Sequence, residues 1–142
     1  MKMIMLTGLC LSLFTGSAFA RIGETVKECN GRYGKPAYEM KKDKYLVYKK
    51  SKFLIYVHFH KGRASRIVYQ GKITDETIKT LQKANSDLVW RMTEPNLWLT
   101  SNDSIISHHT PKNFRLTVMT MEFFKHLKKE ESAHDKKRLE GL

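Results

Sequence analysis

His58 and His60 stand two positions apart in the stretch Phe53-Leu-Ile-Tyr-Val-His-Phe-His60, so an extended strand places both imidazoles on one face. That spacing suits a zinc or copper ion, with His108 or His109 as the third protein ligand a zinc site requires. Two histidines alone do not complete such a site, and the uncovered face of a sheet commonly carries polar side chains of this kind. We therefore assign no metal and no cofactor, and keep His58 and His60 as the residues a metal would use. The chain contains no Gly-x-Ser-x-Gly, no His-Glu-x-x-His, no phosphate-binding glycine loop and no Cys-x-x-Cys. No catalytic residue is assigned, and a non-enzymatic role is expected.

Binding chemistry has better candidates. Lys41, Lys42, Lys44, Lys49, Lys50 and Lys52 fall within twelve positions, interleaved with Tyr45 and Tyr48 and offset by Asp43 alone. Near an anionic membrane each such lysine contributes about 1 kcal/mol, enough together to concentrate the protein at a surface without anchoring it. The same residues could follow a phosphate backbone with stacking. The competing reading is that they solvate an edge strand and discourage sheet-to-sheet aggregation. Tyr56, Trp90 and Trp98 could anchor a partner, or could serve as core. Asn102-Asp103-Ser104 fits a glycosylation sequon, which matters only in a eukaryotic secretory route.

The elements that hold these residues follow from composition and pattern. The chain has 142 residues, 41% hydrophobic and 28% charged, and a formal net charge of +12. That composition predicts one ordinary globular domain rather than a fibrous, repetitive or polytopic membrane protein. Lys2, the apolar run Ile4 to Phe14 and the small residues ending Ala18-Phe19-Ala20 form a signal-peptide pattern, with cleavage expected after Ala20. Leu9 stands where a lipobox before Cys10 needs a small residue, so lipidation is not expected. Export to the periplasm or beyond follows, and nucleic acid becomes a poor partner. Once residues 1–20 are removed Cys29 has no internal partner, leaving it either buried or in an intermolecular disulfide.

Thr25 and Glu28 have capping-box spacing, Gly34 can end that helix, and Pro36 blocks its continuation. Strands are expected at Tyr45 to Tyr48, Phe53 to His60 and Arg63 to Tyr69, with Phe53, Ile55, Val57 and Phe59 facing the core. Thr74 caps a second helix that ends at Asn85, and a loop containing Trp90 and Pro95 follows. Three further strands are expected at Leu97 to Thr100, Ser104 to His108 and Phe114 to Met119. Thr120 then caps a last helix whose end, beyond Leu127, lacks an apolar stripe. The expected fold is α+β in the order α-βββ-α-βββ-α, antiparallel, with residues 21–127 globular and 128–142 a charged helix end or tail.

The stretch Arg21-Ile-Gly-Glu-Thr-x-x-Glu-Cys-x-x-Arg-Tyr-Gly-Lys-Pro36 resembles the opening of a family of small, uncharacterised, exported bacterial proteins. Phe59-His60-Lys61-Gly62 and Leu81-Gln82-Lys83-Ala84-Asn85 strengthen the likeness. More loosely it is similar to the first helix of SmpA/OmlA outer-membrane-assembly lipoproteins and of β-lactamase-inhibitor-type domains. The resemblance implies export and this fold, and carries no catalytic residues. The expectation is therefore an exported binding module for a protein or cell-envelope component. The alternative is polyanion binding through the Lys41–Lys52 run, with anionic lipid, polysaccharide or nucleic acid as the partner.

Overall fold

A computed structural model describes residues 21–41 and 45–140. The expected signal peptide therefore lies outside the described residues, as do Lys42 and Lys44. The first helix, α1 (Val26–Tyr33), starts with the capping box its sequence requires. The Glu28 amide donates to Thr25 Oγ1 at 3.3 Å and the Thr25 amide donates to Glu28 Oε2 at 2.7 Å. Gly34, at φ 80°, closes the helix by donating to the Asn30 carbonyl.

Four strands follow: β1 (Tyr38–Met40), β2 (Tyr45–Lys50), β3 (Phe53–His60) and β4 (Arg63–Gln70). Then come α2 (Asp75–Asn85), β5 (Trp90–Glu94), β6 (Leu97–Thr100), β7 (Ile105–Thr110), a turn of 3-10 helix at Pro111–Asn113, β8 (Arg115–Thr120) and α3 (Met121–Glu140). The fold is mixed α+β, but the expected three-stranded units each have a fourth strand. All three residues of β1 are exposed, and β5 buries only half of Trp90, so neither has the alternation that marks a strand in sequence. Both are edge strands, held by backbone pairing to β2 and β6.

All eight strands form one antiparallel sheet in the order β1-β2-β3-β4-β8-β7-β6-β5. Each α-ββββ unit builds a local meander, and the two meet where β4 pairs with β8, from Arg66 opposite Met119 to Gln70 opposite Arg115. Ile55, Val57, Ile67, Tyr69, Leu116 and Val118 are fully buried beneath Cys29 of α1 and Ile78 and Leu81 of α2. Alternation therefore gives β3 the inward face the sequence predicts.

Asn85 ties three segments together inside this layer. Its amide nitrogen donates to the Tyr69 hydroxyl (2.9 Å) and the Leu81 carbonyl (2.8 Å), and its oxygen accepts from the Ile22 amide (3.2 Å). The segment before α1 continues along β4, with Gly23 and Glu24 exchanging backbone bonds with Ala64. Glu24 in turn accepts from Arg32 Nε at 2.9 Å and from the Cys29 thiol at 3.7 Å. Of the two fates open to Cys29, the structure shows burial, with no exposed surface. Beyond Leu127 every described side chain of α3 is exposed, as its lack of an apolar stripe predicts.

Two outcomes follow from this core. Asn85→Ala removes the bonds to the Tyr69 hydroxyl, the Leu81 carbonyl and the Ile22 amide at one buried site, and should cost about 2–3 kcal/mol in urea unfolding. Burial, then the Glu24 carboxylate, pushes the Cys29 thiol up from 9.0 to about 12. The unfolded chain thus releases this proton near pH 9 while the native chain keeps it, so stability falls as pH rises from about 9 towards 12. Burial also raises the Tyr48 and Tyr69 hydroxyls, which add to the loss at higher pH. Urea midpoints at about pH 8 and about pH 10.5 should therefore converge more closely in Cys29→Ala than in the parent, and equal slopes would refute the assignment.

Candidate functional site

The helices α1 and α2 cover one face of the sheet, and the other is open except where the first turns of α3 pack at one end. Strand register places three rows of side chains across that open face. The first runs Tyr45, His58, Arg66, Met119, Ile106, Leu99. Beside it run Val47, Tyr56, Val68, Thr117, His108 and Leu97. The third holds Lys49, Leu54, Gln70, Arg115 and Thr110. At their centre, over the β4–β8 pairing, lies a groove of about 370 Å³, within the range of small-molecule sites.

Arg66 and Arg115 enter this groove from opposite strands, each two residues before the central Val68–Thr117 pair. Arg115 donates to Gln70 Oε1 at 3.5 Å. Arg66 is half-buried, and its Nε is buried with no hydrogen-bond partner among the described residues. No described carboxylate lies within salt-bridge distance of either guanidinium. Burial, followed by repulsion from Arg115, lowers the Arg66 pKa below its usual value. One wall of the groove is aromatic: Tyr45 lies 4.9 Å from the His58 ring and 6.1 Å from Tyr56, centroid to centroid. Thr110, Asn113, Thr117 and His108 add further polar groups to its lining.

The candidates read from sequence are dispersed. Lys49 lies on the open face, Lys50 on the helix-covered face, and Lys52 in the β2–β3 turn with its ammonium 5.6 Å from the Phe53 centroid. Lys41 is exposed at the end of β1. The described part of the run is thus divided, because adjacent strand residues point to opposite sides. Tyr48 is no surface anchor: it is fully buried, its hydroxyl donates to Asn30 Oδ1 at 2.7 Å, and its ring packs 5.0 Å from Tyr33. Tyr56 does reach the open face. Trp90 and Trp98 lie on the covered face beside α2, half-buried against the core.

The two histidines separate as well. Between His58 and Phe59 the pairing skips Ser65 of β4, a bulge that shifts the ladder register at this end of β3. His58 stays with Tyr45 in the groove, whereas the His60 ring packs 4.7 Å from His126 and 5.6 Å from Phe123 of α3. His108 joins His58 at the groove, and His109 projects to the other face, where burial lowers its pKa. Among the described residues no three His, Cys, Asp or Glu side chains gather to hold a metal. The residues that sequence reading missed are Arg66, Arg115 and Thr117. A charged residue in the largely apolar run Ala64-Ser-Arg-Ile-Val-Tyr69 was the available signal for the first.

Replacing a half-buried, unneutralised charge by an apolar chain of similar length relieves both desolvation and repulsion. Arg66→Met should therefore raise stability by about 1 kcal/mol in urea, and a loss of that size would show that Arg66 holds the fold rather than a site. Comparisons with protein-family models, curated proteins and solved structures return no match to this chain, so the open face is interpreted from its own geometry.

Proposed function

We propose that this chain is an exported, non-enzymatic binding module that engages a protein or cell-envelope component through the open face of its sheet. The observation that carries this reading is the asymmetry of the sheet. One face is closed by α1 and α2 over an apolar core, while the centre of the other presents aromatic rings and two unneutralised arginines. Such groups are typical of recognition surfaces, where tyrosine and arginine supply most of the energy. The signal-peptide pattern at residues 1–20 supports export, and a periplasmic or secreted location. The lack of catalytic spacing supports a role in binding.

The alternative places polyanion binding on the Lys41–Lys52 run. Exposure of Lys41, Lys49 and Lys52, none with a salt bridge among the described residues, favours it. One experiment separates the two. A photo-crosslinking residue replaces Tyr56 on the open face or Lys79 on the exposed side of α2, and each protein is irradiated with envelope extract at low and physiological salt. Adducts from position 56 but not 79, unchanged when Lys49, Lys50 and Lys52 are all replaced by Glu, are the expected result. Loss of adducts in the triple variant transfers the function to the lysine run. No adduct from position 56 at either salt overturns the proposal.

A further inference from the structure

The cationic groove continues into a second, apolar one. A cavity of about 280 Å³ on the same open face shares His108, Thr117 and Met119 with it and is otherwise walled mainly by Pro95, Leu97, Ile106 and Phe124. Ile106 is buried, and Leu97, Met119 and Phe124 are half-buried, so α3 reaches this end of the face through Phe124. Glu94 stands at its rim. The open face thus changes along its length from two unneutralised guanidiniums to a hydrocarbon-lined trough with a carboxylate beside it.

We propose that these joined grooves bind a small amphipathic anion: an acyl chain with a carboxylate or phosphate head. Building on the open-face reading above, this names the ligand class. The head lies between Arg66 and Arg115, whose planar forks match carboxylate and phosphate oxygens and whose mutual repulsion an anion relieves. Arg66 Nε, buried and without a partner among the described residues, supplies a donor for it. The chain runs over Met119 and Ile106 towards Leu97 and Phe124. Glu94 disfavours the reversed orientation, because it would meet the anionic head at the apolar end. A polyanionic strand fits less well, because the described lysines of the 41–52 run do not form one track leading to the arginines.

Calorimetry with decanoate, decyl phosphate, decanol and inorganic phosphate tests each part on the full chain. Both decyl anions should bind at least about tenfold tighter than decanol or inorganic phosphate. Their ranking identifies the head as carboxylate or phosphate. Arg66→Gln combined with Arg115→Gln should remove that advantage while leaving decanol unchanged, and Phe124→Ala should weaken both decyl anions alike. The urea midpoint of each variant reports whether it is folded. A nonfolding double variant is replaced by Arg115→Gln alone, whose exposed site tolerates the change and should still weaken both anions. Equal binding of decanol and decanoate, phosphate binding as tight as decyl phosphate, or no binding at all overturns the inference. The crosslinking from position 56 is read separately: adducts without decyl-anion binding leave the open-face reading standing and remove only this ligand class.

Discussion

The five residue pairs that join β4 to β8 are the constraint on which the rest of this structure depends. Each four-stranded meander forms from neighbouring segments through short turns, whereas this pairing links residues 66–70 to residues 115–119. It must recover the entropy of closing a long loop, and it does so through the inward side chains it brings together. Ile67 and Tyr69 meet Leu116 and Val118, all four fully buried. Without that contact each unit would be a half-covered sheet with an unpaired fourth strand, a form prone to edge-to-edge association.

The same pairing sets the two faces apart. On the covered face, several enclosed polar groups are satisfied locally: Asn85 links α2, β4 and the segment before α1, and Gln82 donates to the buried Ser107 hydroxyl, whereas the Tyr33 hydroxyl and the Trp90 indole nitrogen are buried there with no partner among the described residues. Polar atoms satisfied locally contribute to a unique packing arrangement. On the open face two guanidiniums are left without an acid among the described residues. Arginines without acids, and a guanidinium nitrogen without an acceptor among the described residues, are costly to the fold alone and are common where binding requires them.

Much of the architecture was legible in the sequence. Thr25 with Glu28, Thr74 and Thr120 mark helix starts by a local hydrogen bond, which depends on a few adjacent residues. Phe53 to His60 shows its inward face because one side of the sheet is buried throughout. The edge strands β1 and β5 were not legible, since backbone pairing is their main hold and a single packed side chain, Trp90 of β5, leaves no hydrophobic period. The site was legible only in fragments. Tyr56 and His58 were visible as candidates, but Arg66 and Arg115 are 49 positions apart and become neighbours only through the β4–β8 register. Proximity in sequence misled in the other direction for the lysines, which strand alternation distributes to both sides, and for Tyr48, which its apolar strand draws into the core.

The placement of Arg66 and Arg115, each two residues before the Val68–Thr117 pair, amounts to a local two-fold axis through the centre of the sheet. Each α-ββββ unit contributes one arginine from the corresponding place on its fourth strand, so neither unit alone contains the charge pair, and any two copies joined along this strand would regenerate it. A symmetric pair of charges cannot by itself tell one end of a ligand's path from the other. Direction must come from where the two units have diverged, with Tyr45 and His58 on one side answered by Leu97 and Phe124 on the other. Drift in those flanking residues could therefore change what is recognised while the shared pair and the pairing beneath it stay fixed.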